Sequence, residues 1–325
     1  MKAALCKSLD GPQGIAIETW ADPAALAGEA VVRVAAIGLN FSDTLLTRGK
    51  YQYRPELPFF PGGEIAGTVE SVSGPAGVSP GQSVMAYLNW GGAAEKVAVD
   101  ATKLIPIPEG VPLPVAAGLS VTYGTAMHGL GDRARLKSGE TVVVTGAAGG
   151  AGHSAVEIAK LMGARVIAVA SSAEKCAIAK AAGADATIEF PGSDLKAEVR
   201  ALTGGDGADV VYDCIGGAAS EPLVRALAWQ GRFLVVGFAA GEIPKIPINL
   251  LLLRGAEMLG VFWGEAVRRD PDRHRANMLQ VLRWVVDGRL KPRIHATFPL
   301  AQISEALSVL ERREATGKVV LTISK

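Results

Sequence analysis

Val142-Val143-Val144-Thr145-Gly146-Ala147-Ala148-Gly149-Gly150-Ala151-Gly152 is the stretch on which the fold turns. A β-branched run enters a glycine-rich turn, and residues 153–162 follow with apolar positions at helical spacing and Gly163 as their stop. Strand, glycine turn and helix in that order give the glycines a meaning that they lack alone. Working downstream, strands are expected at 165–170, 187–190, 209–215, 232–236 and 258–262, alternating with helices at 173–182, 193–202 (capped by Ser193) and 218–229. Such alternation predicts parallel β-α-β units in a doubly wound sheet. Upstream the pattern differs. Short strands at 3–6, 15–19, 30–37, 65–72, 83–86 and 93–99 follow one another with almost no helix, which predicts an antiparallel or barrel-like β domain. A buried helix is expected at 116–130, a long amphipathic one at 273–286, and another at 302–312 before a strand at 318–323. That last strand needs a partner sheet, so the β domain is expected to be discontinuous, 1–123 with 264–325, around a nucleotide domain at 124–263.

Composition narrows the function classes. With 325 residues, 49% hydrophobic and 20% charged, the chain has material for two cores of its own. The net charge of +1 gives no bulk attraction to nucleic acid or to an anionic membrane. The longest aliphatic block, 248–253, is far short of the ~20 residues of a membrane span, and the first residues hold too short an apolar run for a secretory signal. Three scattered cysteines, Cys6, Cys176 and Cys214, argue for a reducing compartment. The expectation is a cytoplasmic enzyme with no nucleic-acid or membrane partner.

The glycine turn predicts a dinucleotide. Its tight geometry lets the backbone approach a pyrophosphate at a helix N-terminus, with Gly149, Gly150 and Gly152 as the approach glycines. NAD enzymes carry an acidic residue about twenty positions later, on the ribose 2′-hydroxyl. Here the stretch reads Ala170-Ser171-Ser172-Ala173-Glu174-Lys175. Two hydroxyls and a lysine suit a 2′-phosphate, so NADPH is expected; the competing views are that Ser171 only caps the helix and that Glu174 takes the ribose.

Gly38-Leu39-Asn40-Phe41-Ser42-Asp43, Pro61-Gly62-Gly63-Glu64-Ile65-Ala66-Gly67, Thr125-Ala126, the glycine turn, Asp213 with Gly216-Gly217, and Gly317-Lys318-Val319-Val320 make the chain resemble the medium-chain dehydrogenase/reductase superfamily. Within it the resemblance is to the zinc-free quinone oxidoreductases related to zeta-crystallin, and it covers nearly the whole chain. It implies a GroES-like β-rich domain plus a Rossmann domain. The zinc-dependent branch has a cysteine where this chain has Asn40 and a histidine where it has Gly63, and no cysteine lies between Cys6 and Cys176 for a structural zinc lobe. A zinc site needs three or four converging ligands, and His128, His153, His274 and His295 lack metal-ligand spacing, so no metal is expected.

Hydride transfer without a Lewis acid favours a conjugated acceptor that can delocalise the incoming charge. The resemblance therefore implies an NADPH-dependent reductase of quinones or other α,β-unsaturated carbonyls. It places Asn40, Asp43, Tyr51 and Thr125 around the reacting atoms, with Tyr51 orienting or protonating the substrate and Thr125 touching the nicotinamide. Cofactor contacts carried over are Gly149, Gly150, Ala151, Ser171, Ser172, Lys175, Phe238, Ala239, Phe262 and Lys318. Asp43 is equally readable as a cap of its short helix, and Asn40 as a turn residue. Phe41, Tyr123, Phe262 and Trp263 make either an apolar acceptor pocket or ordinary core.

The alternatives are an enoyl-thioester or haloacrylate-like reductase, for which Arg48, Lys50 and Arg54 would supply a basic channel. From another class comes a cofactor-binding structural or RNA-binding protein without significant turnover. Gly77-Val78-Ser79-Pro80-Gly81 matches a hydrolase elbow, but Pro80 has no N–H for an oxyanion hole and no helix pattern follows. Cys176 is expected to be exposed. The strand at 258–262, apolar on both alternations and last in its series, is expected at a sheet edge and to pair with its twin in a homodimer.

Overall fold

A computed structural model describes residues 1–323. The chain divides into two compact units, Met1–Val121 with the chain from Arg268 onward, and Thr122–Val267.

The first unit holds β1 (Lys2–Cys6) and β2 (Ile15–Thr19), an antiparallel ribbon, then β3 (Glu29–Leu39), β4 (Glu64–Val72), β5 (Ser83–Tyr87), β6 (Lys96–Asp100) and β7 (Ile105–Pro106). The second unit holds β8 (Thr141–Thr145), β9 (Arg165–Ala170), β10 (Ala186–Glu189), β11 (Ala208–Asp213), β12 (Leu227–Val235) and β13 (Glu257–Gly260). From Arg268 the chain is again part of the first unit, with the helix Pro271–Val286, β14 (Ile294–Pro299), the helix Ile303–Glu311 and β15 (Lys318–Thr322).

In the first unit the sheet order is β14-β15-β3-β4-β5-β7, with β6 also on β3. The 11-residue β3 is long enough to take two partners end to end on one side: Ala36–Leu39 pairs with β15, and Glu29–Arg33 with β6. Its inward residues Val32, Val34, Ile37 and Leu39 pack with Ile65, Val84, Val319, Leu321 and, from the helix Ile303–Glu311, Ile303 and Leu307. The C-terminal strand is thus an interior member of an otherwise N-terminal sheet, which is why the unit is discontinuous.

Lys318, at the start of β15, and Glu64, at the start of β4, meet as a buried ion pair, the Lys318 ammonium also donating to Asn40 Oδ1. Glu64 is fully buried and Lys318 nearly so. The second Glu64 oxygen accepts from Val121 N at 2.9 Å, and Asn40 Nδ2 donates to the first at 2.9 Å. Both charges are therefore paired and hydrogen-bonded, the condition under which a buried ion pair is tolerated.

The second unit is a six-stranded parallel sheet in the order β10-β9-β8-β11-β12-β13. Strands β8, β9 and β11 are buried on both faces, as helix-covered parallel sheets require. Order reverses between β8 and β11, so the crevice at their carboxyl ends is the topological switch point where such folds bind ligands.

Several expected elements change. The helix at 116–130 is broken into Leu113–Ala116, Ser120–Ala126 and a π-helical turn, Met127–Arg133. Asp194, not Ser193, caps Leu195–Leu202, its side chain accepting from Ala197 N at 3.1 Å. The helix at 218–229 spans only Ser220–Arg225, because β12 begins at Leu227 and pairs with β11 and β13. Cys176 is buried, not exposed, with its thiol toward Ile188 O at 3.7 Å.

Lys318→Met would leave the Glu64 carboxylate buried without its cation, which costs about 3–5 kcal/mol. Denaturant unfolding should show that loss, and adding Glu64→Gln to the same chain should recover a large part of it. A single variant as stable as the parent would mean that the pair does not hold the two strands.

Candidate functional site

The glycine turn after β8 is built for close approach. Gly146 adopts φ +59°, and a Cβ on Gly152 would lie 2.2 Å from Gly146 O, so no other residue fits there. The turn delivers the chain into the 12-residue helix Gly150–Leu161 with Gly149 as its N-cap. The first N–H groups of a helix have no carbonyl of their own turn to bind, and together with the helix dipole they favour an anion at that end. Gly149, Gly150 and Ala151 thus form one continuous backbone cradle.

The end of β9 supplies a second polar group in the same unit. Ser172 caps the helix Ala173–Ala181, its hydroxyl accepting from Lys175 N at 3.2 Å, so its role is structural at least in part. Lys175 turns its ammonium back to Ser171 Oγ at 3.3 Å, while Glu174 is exposed one position away. An ammonium and a hydroxyl side by side at this position match a phosphate better than a ribose diol. After β12, Ala239 donates to Cys214 O at 3.3 Å, and the half-exposed Phe238 stands within 3.0 Å of where a Gly216 Cβ would be. Thr125 is partly accessible on the helix Ser120–Ala126, and Phe262 is exposed.

The first unit gathers the other residues. Asn40 is the N-cap of the helix Phe41–Thr47 and Asp43 its third residue, closing a capping box in which Asp43 accepts from Asn40 N at 2.8 Å. The second Asp43 oxygen accepts from Gly62 N at 3.1 Å. Burial nonetheless pushes the Asp43 carboxyl up to about 6, opposed by those two N–H donors and by the Lys318 charge. Tyr51 is pushed up to about 12, by burial first and then by the Asp43 charge, so its phenol keeps its proton at neutral pH. Tyr51 lies 5.9 Å from the Tyr53 ring, which lies 6.1 Å from Trp90. Asn40, Asp43 and Tyr51 are brought together here, and Lys318 joins them. Its ammonium, expected as a cofactor contact, donates to Glu64 and Asn40 in this cluster.

Of the aromatic residues expected either in an acceptor pocket or in the core, Phe262 is exposed and two others are buried. Tyr123 is buried with its hydroxyl donating to Glu157 Oε2 at 2.6 Å, and Trp263 is buried against Gly124. Both are core. Arg48 is engaged by Glu311, at 2.6 and 3.1 Å, which leaves Lys50 and Arg54 as the exposed members of the expected basic set. His274 is held low, at about 4, by burial, and among the described residues no three His, Cys, Asp or Glu side chains converge as a metal site would.

Two residues had no assigned role in the sequence although their motifs were visible. Glu64 sits in the Gly62-Gly63-Glu64 segment and orients the Asn40 amide. Asp213, buried at the end of β11, accepts from Thr145 Oγ1 at 2.7 Å. Both act through partners distant in sequence.

Residues 150–284 match the zinc-binding dehydrogenase family and residues 26–109 the alcohol dehydrogenase GroES-like domain. The quinone oxidoreductase-like protein 2 homolog of Nematostella vectensis is 40% identical over 326 residues, covering 98% of this chain and 88% of that one. Among solved structures, the quinone oxidoreductase of Thermus thermophilus, solved also in complex with NADPH, superposes with a TM-score of 0.87 at 35% identity, over 99% of this chain and 100% of that one. The CurK enoyl reductase superposes with a TM-score of 0.89 at 25% identity, over 99% of each chain. A GroES-like sheet completed by the C-terminal strand, a parallel sheet with its glycine turn, and full-length identity to named relatives agree: the chain belongs to the medium-chain dehydrogenase/reductase superfamily, among its quinone oxidoreductase-like members.

Proposed function

We propose that this protein is an NADPH-dependent, zinc-independent reductase of quinones or other α,β-unsaturated carbonyls. The observation that carries the cofactor choice is the Lys175–Ser171 pair at the end of β9, beside a glycine turn that presents a helix N-terminus. The donor set fits the two anionic groups of the dinucleotide: backbone N–H groups for the pyrophosphate, and a cation with a hydroxyl for the 2′-phosphate. When bound, the nicotinamide supplies a hydride. The chain's own part is to bind, orient and manage the proton. Tyr51, with a phenol that stays protonated, is suited to donate to the oxyanion that develops on an acceptor carbonyl. Asp43 holds the backbone at Asn40 and Gly62 by two hydrogen bonds, which fixes the turn that carries the Asn40 side chain. Zinc independence is supported by Asn40 and Gly63, neither of them a zinc ligand type, and by the Lys318 ammonium that already neutralises Glu64.

Enoyl thioesters remain the second acceptor class, on the similarity to an enoyl reductase and on Tyr51. The engagement of Arg48 by Glu311 weighs against a basic channel for a CoA phosphate. Three cysteines without a disulfide among them support a cytoplasmic setting.

A homodimer is part of the proposal. Strand β13 is the sheet edge, where Arg133 donates to Gly260 O at 3.1 Å. An apolar surface lies beside it. Trp229, Ile248, Leu252 and Leu253 are exposed at 69, 82, 80 and 68%, and Trp229 lies close to Gly255, just past Leu252–Leu253. Exposed apolar groups gathered in one region mark an interface, and a second copy offers the matching self-complementary face.

Consumption of NADPH should be seen with quinones or enones and should survive chelator treatment; oxidation only with enoyl-CoA esters would select the second class. Lys175→Ala should weaken NADPH binding by ~1.5–3 kcal/mol and leave NADH nearly unchanged, whereas equal weakening of both would remove the 2′-phosphate assignment. Sedimentation should give twice 33.6 kDa, and Leu252→Glu with Leu253→Glu should give a folded monomer. A parent chain that sediments as a monomer at micromolar concentration would end the dimer proposal.

A further inference from the structure

Asp213 stands at the topological switch point of the parallel sheet, on the last residue of β11 and beside the last residue of β8. It is buried, and its carboxylate collects four donors. Oδ1 accepts from Thr145 Oγ1 at 2.7 Å, from Ile215 N at 3.0 Å and from Gly216 N at 3.0 Å, and Oδ2 accepts from Ser220 Oγ at 2.6 Å. Thr145 in turn accepts from Cys214 N at 3.1 Å, so its hydroxyl is used in both directions across the two strands.

These contacts reach the two segments that flank the crevice. Thr145 is the residue before Gly146, so its hydroxyl bond fixes where the glycine turn departs from the sheet. The Ile215 and Gly216 N–H groups bend the chain after β11, with Gly216 at φ +71°, into a turn that binds the next loop. Ala239 donates to Cys214 O at 3.3 Å, Ala240 to Ile215 O at 2.8 Å and Gly217 to Glu242 O at 3.2 Å. One carboxylate therefore anchors both the glycine turn and, through residues 214–217, the Phe238–Ala239 loop. A carboxylate that receives several backbone N–H bonds in a buried place is a strong and directional anchor.

We propose that Asp213 is the positioning residue of the dinucleotide site, holding the glycine turn and the Phe238–Ala239 loop at the spacing that the cofactor requires. The proposal rests on the reading of the glycine turn as the NADPH site. It assigns Asp213 no contact with the cofactor. Because its reach is to the turn and the loop, and not to Lys175, it should act on NADPH and NADH alike.

The test measures dissociation constants of the full-length chain for NADPH and for NADH by nucleotide fluorescence, with a thermal melt of each variant. Asp213→Ala should raise both constants about tenfold or more, by the same factor, at a temperature where the variant is fully folded. Asp213→Asn keeps an acceptor for the three Oδ1 donors, and Ser220 can turn its hydroxyl to accept, so it should restore binding to within about threefold of the parent. Thr145→Val, which removes the hydroxyl's bonds to Asp213 and from Cys214 N but keeps the carboxylate, should weaken both nucleotides by one common factor at a temperature where the variant is folded, and it decides the matter if Asp213→Ala does not fold. Variants that melt lower but bind as the parent would reduce Asp213 to a structural role and overturn the proposal, as would a change in the NADPH-to-NADH ratio. Failure of the parent chain to bind either nucleotide would instead overturn the reading of the glycine turn itself.

Discussion

The buried pair of Lys318 and Glu64 is the interaction on which the first unit depends. It joins the start of β15, contributed by the end of the chain, to the start of β4, 254 residues earlier. Neither charge could stay buried alone, since an unpaired ammonium or carboxylate in an apolar interior costs several kcal/mol. Satisfying the pair therefore demands that the C-terminal strand sit in register against β3, with Val319 opposite Leu39 and Val320 opposite Gly38. A one-residue slip would turn Val319 and Leu321 out of the core and carry the ammonium away from its partner. Hydrophobic packing makes the strand want burial, and the ion pair fixes which register it takes.

The same pair shapes the polar cluster. Asn40 could present its amide either way round, but with Lys318 donating to its oxygen and Glu64 accepting from its nitrogen only one orientation satisfies both. Asp43 then takes the Asn40 and Gly62 backbone N–H groups. Helix cap, strand start and side-chain orientation are thus solved by one set of hydrogen bonds, which is why Asp43 is at once the capping residue of its helix and a member of the polar cluster.

Most of the architecture was legible because it is written in local pattern. Alternating strands and helices after residue 140, and close-set strands before residue 100, lead to the parallel and mainly antiparallel sheets that form. The glycine turn was legible for a steric reason, since Gly152 has no room for a side chain. Tertiary contacts decided the rest. The helix expected to run to Trp229 stops at Arg225, because the chain at Leu227 is drawn into pairing with β11. Cys176 faces inward on a helix whose pattern is too weakly amphipathic to tell its faces apart. Tyr123 and Trp263 carry the residue types of a binding pocket, yet a hydrogen bond to Glu157 and a niche left by Gly124 place them in the core. Glu64 and Asp213 were visible as letters in motifs, but what each does is fixed by donors that only folding brings to them.

Asp43 carries a cost within this cluster. Its carboxyl is raised above 3.8, its ordinary value, to about 6, with burial as the main cause. A group whose folded pKa exceeds its unfolded one contributes stability that is full below the unfolded pKa and is lost as pH rises through the folded one. Asp43 therefore favours the fold below about pH 4 and progressively less up to about pH 6, and at neutral pH it is an ionised group held in a place that resists its charge. Two N–H donors and the Lys318 ammonium offset part of that cost without removing it. Tyr51 feels the same charge: burial first, and the Asp43 carboxylate second, push its phenol up to about 12. A carboxylate kept where burial opposes its charge is the consequence of using one side chain to hold both the Asn40 and the Gly62 backbone N–H groups.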